Sequence, residues 1–304
     1  MTSDRQPPGV TRAFHLVTLG CRINQYESQA LREAWARLGW VEVEDPAAAE
    51  LICVNSCAVT ASAVSDLRQT VRRLRRANAT ARLLVTGCAA SLPAGERELA
   101  RLDGVTTMVP QHDKASLLVD PEAASGPPQV SVATRHIEVT TESTPSDNTV
   151  GTRGFPVFSV SGSQRARAVL KVQDGCSHRC TYCVVPLARG PALSRPPVEV
   201  LAEARRLLAS GARELVLSGI NLRQYHARTH DLAGDAGTAG RSLDFWGLLA
   251  WLDAALAPEW AGRARLRLSS LDPGQLAGPN LDAALEALTA CRLVCPHLHL
   301  SLQS

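Results

Sequence analysis

The sequence is poor in lysine and modest in net charge. Of its 32 basic residues only Lys114 and Lys171 are lysine, and the formal net charge is +3. The remaining basic residues are arginine, whose planar fork suits phosphate groups and base edges. This bias is compatible with RNA binding, but a GC-rich genome produces the same bias, so the composition alone does not identify a partner.

The sequence also lacks any long apolar run. No stretch has enough uninterrupted apolar residues to cross a bilayer. The first thirteen residues carry charge and two prolines where a secretion signal needs an apolar segment. We therefore expect a cytoplasmic protein with no membrane partner. A length of 304 residues with 45% hydrophobic content excludes disorder of the whole chain and suits two domains.

Residues 14–110 alternate between strand-like and helix-like segments, which predicts an open parallel α/β domain of the Rossmann-like class. The strands are expected at 14–19, 50–55 and 82–86, with helices at 24–38, 61–76 and 93–102. Each predicted strand is followed at once by a cysteine, namely Cys21, Cys57 or Cys88, here called the first triad. Because parallel strands share one carboxyl edge, these cysteines should converge.

Residues 111–165 are rich in Pro, Ser, Thr and Gly and are predicted to be a linker, although residues 130–139 have the pattern of an extended strand. A second α/β series fills residues 166–304. Its strands are expected at 168–172, 214–218, 265–269 and 297–302, with helices at 197–210, 242–256 and 281–289. The series stops mid-pattern, so we expect a partial (βα) barrel that is incomplete at the carboxyl terminus.

Nine cysteines without a secretion signal argue for metal or redox chemistry rather than disulfides. Cys176, Cys180 and Cys183 form a C-x3-C-x2-C loop after a predicted strand, here called the second triad. Three thiolates so close together can hold three irons of a [4Fe-4S] cluster and leave the fourth iron open. The alternatives are a zinc site, which needs a fourth ligand and has only His178 nearby, and a set of incidental buried thiols.

The other cysteines have simpler interpretations. The first triad, taken without a metal, would be three small buried residues at tight strand–helix turns. Cys53 lies within an apolar run and is expected in the core. Cys291 and Cys295 form a pair without a third partner and are expected to be structural.

Both triads lie in motifs that resemble those of the radical S-adenosylmethionine (SAM) methylthiotransferases. The second triad lies in Asp174-Gly175-Cys176 to Cys183, which is followed by Val184 to Gly190 and by Ser194-Arg195. The first triad lies in the matching stretches 18–28, 55–60 and 86–88. The resemblance covers residues 14–304.

The resemblance implies an enzyme with two [4Fe-4S] clusters and SAM as cofactors. The second triad would hold the catalytic cluster, which cleaves SAM to a 5′-deoxyadenosyl radical, and the radical would take hydrogen from C2 of an adenosine. The first triad would hold an auxiliary cluster through which sulfur is delivered, and a second SAM would supply the methyl group. The implied partners are the tRNA anticodon loop and an electron donor of the flavodoxin or ferredoxin type.

The resemblance also implies SAM contacts at the ends of the later strands. A glycine lets the backbone approach a ligand, and hydroxyl and amide groups bond polar atoms. Serines at strand ends also serve simply as turn residues. The expected contacts are Tyr182, Ser218, Gly219, Asn221, Ser269, Ser270 and Gln303.

Within the family, the stretches Thr18 to Glu27 and Val172 to Cys176 are most similar to the branch acting on N6-threonylcarbamoyladenosine at position 37 of tRNA. Leu187 departs from the tyrosine usual in the tRNA branches. The alternatives are methylthiolation of isopentenyladenosine-37, methylthiolation of a ribosomal-protein aspartate, and a non-catalytic iron–sulfur electron-transfer module.

Two helical segments outside the triads also have competing interpretations. The predicted helix at 61–76 carries five arginines, which would either meet RNA phosphates near the auxiliary cluster or form a solvated face. The segment with Trp246 and Trp251 has apolar residues at helical spacing and is expected to be a packing helix.

Overall fold

The computed structural model describes residues 12–122, 155, 158–162, 167–228 and 242–302. The first part holds β1 (Ala13–Thr18), α1 (Arg22–Arg37), β2 (Val41–Glu42), β3 (Leu51–Ser56), α2 (Ala61–Ala77), β4 (Arg82–Gly87), α3 (Pro93–Ala100) and β5 (Thr107–Pro110). The second part holds β6 (Ala168–Lys171), β7 (Gln173–Asp174), α4 (Val185–Arg189), β8 (Leu193–Ser194), α5 (Pro197–Ala209), β9 (Glu214–Ser218), β10 (His226–Arg228), β11 (Ser242–Asp244), α6 (Phe245–Trp260), β12 (Arg265–Leu268), β13 (Ser270–Leu271), α7 (Leu281–Ala290) and β14 (His299–Leu300).

The first domain is built on a five-stranded sheet in the order β2-β1-β3-β4-β5. All four strand pairs are parallel. The central strand β3 is buried along its whole length, as expected for a parallel strand covered on both faces. The predicted open parallel α/β domain is confirmed, and the outer strands β2 and β5 are additions that the sequence pattern did not predict.

The second domain contains a three-stranded parallel sheet in the order β12-β9-β6. A short parallel pair, β13 and β14, continues past the end of β12. Helices α5 and α6 supply most of the helical side of its core. Strands alternating with helices in this way confirm the predicted partial (βα) barrel.

The start of α6 differs from the expectation of a helix over 242–256. Ser242 to Asp244 instead form β11, which pairs antiparallel with β10. The helix begins at Phe245 because Oδ1 of Asp244 accepts a hydrogen bond from the backbone N–H of Gly247 at 2.8 Å, an N-cap that stops the helix extending backwards. The packing helix expected around Trp246 is present, with its indole buried.

Part of the predicted linker lies against the first domain. A short 3-10 helix, Lys114–Leu118, follows β5, and Nε1 of Trp35 donates to the carbonyl of Leu117 at 2.6 Å. The strand expected at residues 130–139 lies outside the described residues. None of the described helices is long and apolar enough to span a membrane.

Helix α1 packs against both domains. Leu31 and Trp35 lie in the core beneath the first sheet. Tyr26 and Ala30 lie in the core of the second domain. Because α1 begins one residue after Cys21, it ties the first triad to the second domain.

Candidate functional site

The first triad lies at the carboxyl ends of three adjacent strands. Thr18 of β1 pairs with Asn55 of β3, and Ser56 of β3 pairs with Gly87 of β4. Cys21, Cys57 and Cys88 follow these strand ends directly, so the topology gathers their three loops at one edge of the sheet.

Glycines allow these loops to touch. Gly20 has φ +93°, and a Cβ there would overlap Cβ of Cys57 and lie 2.8 Å from its Sγ. Gly87 has φ +99°, and a Cβ there would overlap the carbonyl oxygen of Ser56. The backbone N–H of Cys88 donates to that same carbonyl at 3.2 Å. Only glycine fits at these two positions, because both the backbone angle and the close approach exclude a side chain.

The thiols of the first triad differ in environment. Cys57 and Cys88 are buried, whereas Cys21 is exposed. Burial raises the pKa of the Cys88 thiol, and the nearby cations Arg189 and Lys114 oppose that rise. Among the described residues, no three Cys, His, Asp or Glu side chains are arranged to hold a single metal ion.

The second triad lies in a tight loop after β7. Gly175 has φ +68°, and a Cβ there would overlap the carbonyl oxygen of Pro191. The N–H of Cys176 donates to the carbonyl of Gly190 at 3.0 Å, and the N–H of Cys183 donates to the carbonyl of Cys180 at 3.1 Å. Within the triad Cys176 is buried, Cys183 is half-buried and Cys180 is exposed.

The second triad faces the end of β9, where SAM contacts are expected. The N–H of Ser177 donates to Oε1 of Gln224 at 2.8 Å. Nδ2 of Asn221 lies 3.5 Å from Nδ1 of His178, inside the cysteine loop. A Cβ at Gly219 would lie 2.8 Å from Cβ of Gln173. The structure thus brings Asn221 to the cluster loop, and it places Gly219 against Gln173, whose side-chain amide donates to the carbonyl of Gly175 at 2.8 Å.

The remaining expected SAM contacts have varied surroundings. The hydroxyl of Ser218 donates to the carbonyl of Val216 in its own strand. Oγ of Ser270 lies 2.8 Å from Nδ1 of His299. Oγ of Ser269, by contrast, is buried with no hydrogen-bond partner in the described part of the chain. Gln303 lies outside the described residues.

Tyr182 projects from the second triad. Its side chain is 63% exposed. Partial desolvation of the hydroxyl and, next, the neighbouring Cys180, which also shares a hydrogen bond with it, raise the pKa of Tyr182. An exposed aromatic ring held beside a thiol is a suitable surface for a planar group such as adenine.

Between the two triads lies a buried ion network, defined here as Glu27, Lys114, Lys171, Asp174 and Arg189. Oε2 of Glu27 lies 2.6 Å from Nζ of Lys114. Oε1 of Glu27 lies 2.8 Å from Nζ of Lys171 and 2.9 Å from Nη1 of Arg189. Asp174 lies 2.7 Å from Lys171 and 3.0 Å from Arg189. No side chain of the network is more than 5% exposed.

The charges of the network stabilise one another. Burial alone would raise the pKa of Glu27, but Arg189, Lys114 and Lys171 hold it well below its usual value. Burial would lower the pKa of Arg189, but Glu27 and Asp174 raise it well above its usual value. Burial lowers the pKa of Lys114, and Glu27 opposes that change.

Asn24 connects the ion network to the first triad. Its Nδ2 donates to the carbonyls of Leu19 and Ser56, each at 2.9 Å, and these residues precede Cys21 and Cys57. Its Oδ1 accepts from Nη2 of Arg189 at 2.7 Å. One side chain therefore braces two loops of the first triad and contacts the second domain.

A second polar joint lies further along α1. The hydroxyl of Tyr26 donates to the carbonyl of Phe158 at 2.7 Å and lies 3.1 Å from Oε2 of Glu203. Nη2 of Arg195 lies 3.1 Å from the same oxygen. Burial and the Glu203 carboxylate raise the pKa of Tyr26 well above its usual value.

The remaining cysteines have the structural surroundings expected of them. Cys53 is fully buried in β3, and burial raises the pKa of its thiol to about 12. Burial also raises the pKa of Cys291 to about 11. The N–H of Cys295 donates to the carbonyl of Leu266 in the neighbouring strand β12.

The arginines of α2 begin near the middle of the helix and continue to its carboxyl end. Arg72 is eleven residues after Ala61, which corresponds to about 16 Å along the helix from its cysteine-side start. Arg75 donates to the carbonyls of Ala79, Ala81 and Gly104 and is a structural residue. The interpretation of this helix as an RNA-binding face beside the auxiliary cluster stays a prediction.

The ion network is the part of the site that the sequence analysis missed. Glu27, Asp174 and Arg189 lie inside the motifs quoted for the family resemblance. Lys171 lies in the predicted strand 168–172, and Lys114 lies within the predicted linker. The feature of the sequence that points to the network is the scarcity of lysine, because the chain has only two lysines and both bind Glu27.

Comparison with known proteins identifies relatives over nearly the whole chain. Residues 13–109 match the family described as "Uncharacterized protein family UPF0004". The chain is 36% identical, over 97% of its length and 58% of the relative's, to a threonylcarbamoyladenosine tRNA methylthiotransferase MtaB of Chlamydia pneumoniae. It is 31% identical over 97% of its length and 58% of the relative's to the protein of that name in Bacillus subtilis. The chain is also 30% identical to a tRNA-2-methylthio-N(6)-dimethylallyladenosine synthase of Sphingopyxis alaskensis. That match covers 96% of this chain and 59% of the relative.

A solved structure shares the fold. The radical S-adenosylmethionine methyltransferase TsrM from Kitasatospora setae, solved with cobalamin and a [4Fe-4S] cluster, superposes with a TM-score of 0.54 at 15% identity and covers 96% of this chain and 59% of its own. This chain spans a little under three fifths of the length of the curated relatives that it matches. The predicted resemblance is confirmed: the chain is similar over nearly its whole length to proteins named as tRNA methylthiotransferases, among them the MtaB-named relatives.

Proposed function

We propose that this chain carries the catalytic centre of a tRNA methylthiotransferase that converts N6-threonylcarbamoyladenosine-37 to its 2-methylthio derivative. The observation that carries the proposal is the pair of cysteine triads joined by the buried ion network. The first triad follows the carboxyl ends of the first parallel sheet, and the second lies in the loop after β7. Two thiol sets in adjoining domains suit a reaction that needs a radical source and a sulfur source.

The residues present fit the groups that the family uses. The first triad would hold an auxiliary [4Fe-4S] cluster, and the second triad would hold a catalytic cluster with one iron left for SAM. When bound, these cofactors supply the electron transfer, the radical and the sulfur chemistry of the reaction. The partnerless hydroxyl of Ser269 fits a polar ligand, because a buried hydroxyl without a partner is costly.

The protein's own residues would bind and orient these groups. Tyr182 offers a ring beside Cys180 for the adenine of SAM. Gly219 and Asn221 offer backbone and amide groups at the end of β9, next to His178 of the cluster loop. Ser269 offers its hydroxyl from the end of β12.

The substrate assignment depends on similarity to relatives and on the motifs around the triads. The relatives named for threonylcarbamoyladenosine are 36% and 31% identical, and the first listed relative named for dimethylallyladenosine is 30% identical. A base in an anticodon loop is single-stranded, so it can be splayed into a pocket at lower cost than from a duplex. An electron donor of the flavodoxin or ferredoxin type would complete the system.

Mass spectrometry of tRNA nucleosides from cells lacking the full-length gene tests the proposal. The expected result is loss of 2-methylthio-N6-threonylcarbamoyladenosine with accumulation of its unmethylthiolated precursor, both restored by the wild-type gene but not by a Cys176→Ala gene. If the 2-methylthio form of isopentenyladenosine is lost instead, the substrate is isopentenyladenosine-37 rather than N6-threonylcarbamoyladenosine-37. If the tRNA nucleosides are unchanged and a ribosomal-protein aspartate loses its methylthio group instead, the substrate is a protein. If the purified protein does not cleave SAM, a non-catalytic electron-transfer module is favoured.

A further inference from the structure

The ion network contains one more positive than negative charge. Its cations are Lys114, Lys171 and Arg189, and its anions are Glu27 and Asp174. Nζ of Lys114 donates to the carboxylate of Glu27 and to the side-chain amide oxygen of Asn55, as an ammonium group does. A buried surplus charge is costly unless another group compensates it.

The surplus charge lies on the side of the first triad. Ala188, the neighbour of Arg189 in α4, packs in the same apolar core as Cys88. Nζ of Lys114 donates to Oδ1 of Asn55 at 2.9 Å. A Cβ on Gly87, the residue before Cys88, would lie 2.8 Å from that Oδ1. Lys114 thus contacts a side chain that lies against the Cys88 loop, and Arg189 adjoins a residue packed in the same core as Cys88.

The same network also reaches the second triad. Asp174 precedes Cys176 by two residues, and its Oδ1 accepts from the N–H of Gly175 at 2.8 Å. Arg189 ends the short helix α4, which follows Cys183. Arg189 therefore touches Asn24 beside the first triad and Asp174 beside the second.

We infer that the ion network positions the two cysteine loops against each other and that its surplus positive charge raises the reduction potential of the auxiliary cluster held by the first triad. This inference rests on the proposed function, since it requires that cluster to be present. Adding one electron to the cluster adds one negative charge, and a nearby buried cation favours the more negative form because the low local dielectric weakens screening. Lys114 and Arg189 are positioning residues in this account.

A charge series at two positions separates electrostatic tuning from simple structural support. Lys114→Met removes one positive charge and leaves the network neutral, so the midpoint potential should shift to more negative values. Glu27→Gln removes one negative charge and leaves the network at +2, so the potential should shift to more positive values. Lys114→Arg keeps the charge and should keep the potential near that of the parent.

The second polar joint offers a matched control. Arg195 is 4% exposed and also links α1 to the second domain, but the titratable groups that act on it are Tyr26, Glu203 and Glu199 rather than a cysteine. Arg195→Met should therefore weaken the joint between the domains without moving the potential of the auxiliary cluster.

The experiment uses the full chain with Cys176, Cys180 and Cys183 replaced by Ala, so that the auxiliary cluster alone is titrated. The cluster is reduced stepwise with dithionite in the presence of redox mediators and followed by electron paramagnetic resonance. Shifts of opposite sign for Lys114→Met and Glu27→Gln, with Arg195→Met unshifted, are expected. If Glu27→Gln does not fold, the Lys114→Met and Lys114→Arg pair gives the same test.

Two results would overturn the inference. If the parent binds iron but the midpoint potentials of all variants shift in one direction, or do not shift, the charge effect is contradicted. The proposed function is then unaffected. A parent that binds no iron would contradict the auxiliary cluster itself, and the inference would fail with the proposed function. Iron analysis before the titration distinguishes the two.

Discussion

Glu27 and Arg189 bind each other across the boundary between the two domains, with Oε1 and Nη1 2.9 Å apart and neither side chain more than 1% exposed. The carboxylate comes from α1, six residues after Cys21, and the guanidinium comes from α4, six residues after Cys183. This pair links the helix that follows Cys21 to the helix that follows Cys183, so its integrity should govern how the domains hold each other.

Glu27→Gln should destabilise the chain strongly. The change leaves Lys114, Lys171 and Arg189 buried around a neutral amide, and removing one partner of a buried ion network typically costs about 3–5 kcal/mol. Glu42→Gln is the matched control, because Glu42 pairs with Arg32 at 2.7 Å on the surface and such a pair contributes about 1 kcal/mol or less. Denaturant unfolding of both variants measures the difference, and equal losses of stability would contradict the role of the network.

The stabilising effect of Glu27 should disappear in acid. Its pKa in the folded chain lies well below the usual value, so its contribution is complete above the unfolded pKa of about 4.3 and is lost as the pH falls through the lower folded value. In thermal unfolding of the iron-free chain, the difference in Tm between wild type and Glu27→Gln should be large at neutral pH and should become smaller below about pH 4. A gap that is constant with pH would show that the variant acts through packing.

Gly20→Ala should disturb the first triad. A Cβ at Gly20 would overlap Cys57, whereas a Cβ at Gly39 would meet nothing within 4 Å although both glycines have positive φ. Both substitutions share the cost of left-handed backbone, about 1–2 kcal/mol, but only Gly20→Ala displaces a candidate ligand. Iron analysis after anaerobic reconstitution should show loss of about four irons in Gly20→Ala and none in Gly39→Ala. Full iron in both variants would mean that Cys57 is not a ligand.

Ser269→Ala should weaken SAM binding. The buried hydroxyl of Ser269 has no partner in the described part of the chain, whereas the hydroxyl of Ser270 already lies 2.8 Å from His299. A neutral hydrogen bond contributes about 0.5–1.5 kcal/mol, which corresponds to about two- to tenfold in affinity. Equilibrium dialysis of SAM against the iron-loaded chain should show this loss for Ser269→Ala and no loss for Ser270→Ala. The reverse order would exclude Ser269 as a contact.

The sequence pattern predicted the features that depend on strand order. The strand expected at 14–19 is β1 at Ala13–Thr18, and the strand expected at 82–86 is β4 at Arg82–Gly87. The meeting of the loops that carry the first triad at one edge follows from the rule that parallel strands share a carboxyl edge. That rule needs no knowledge of side-chain contacts, which is why it applied before the structure was known.

The features that depend on packing between domains were not predictable in the same way. Lys114 lay in a segment read as a linker, yet it is fully buried against Glu27. Periodicity describes which face of one element is apolar, but it does not reveal that α1 is covered on a second side by another domain. Helix α6 begins at Phe245 rather than at residue 242 for a local reason, because Asp244 caps its amino-terminal end.

Iron content of cysteine variants tests the central claim, that the two triads are separate cluster sites. Anaerobically reconstituted wild-type chain should hold about eight irons, and the variant with Cys176, Cys180 and Cys183 replaced by Ala should keep about four. Replacing Cys53, Cys291 and Cys295 by Ala is the control and should leave the iron content unchanged, since these thiols have structural surroundings. About four irons in the second-triad variant, bound with the spectrum of a [4Fe-4S] cluster, is the predicted result, and a variant without iron would contradict the account.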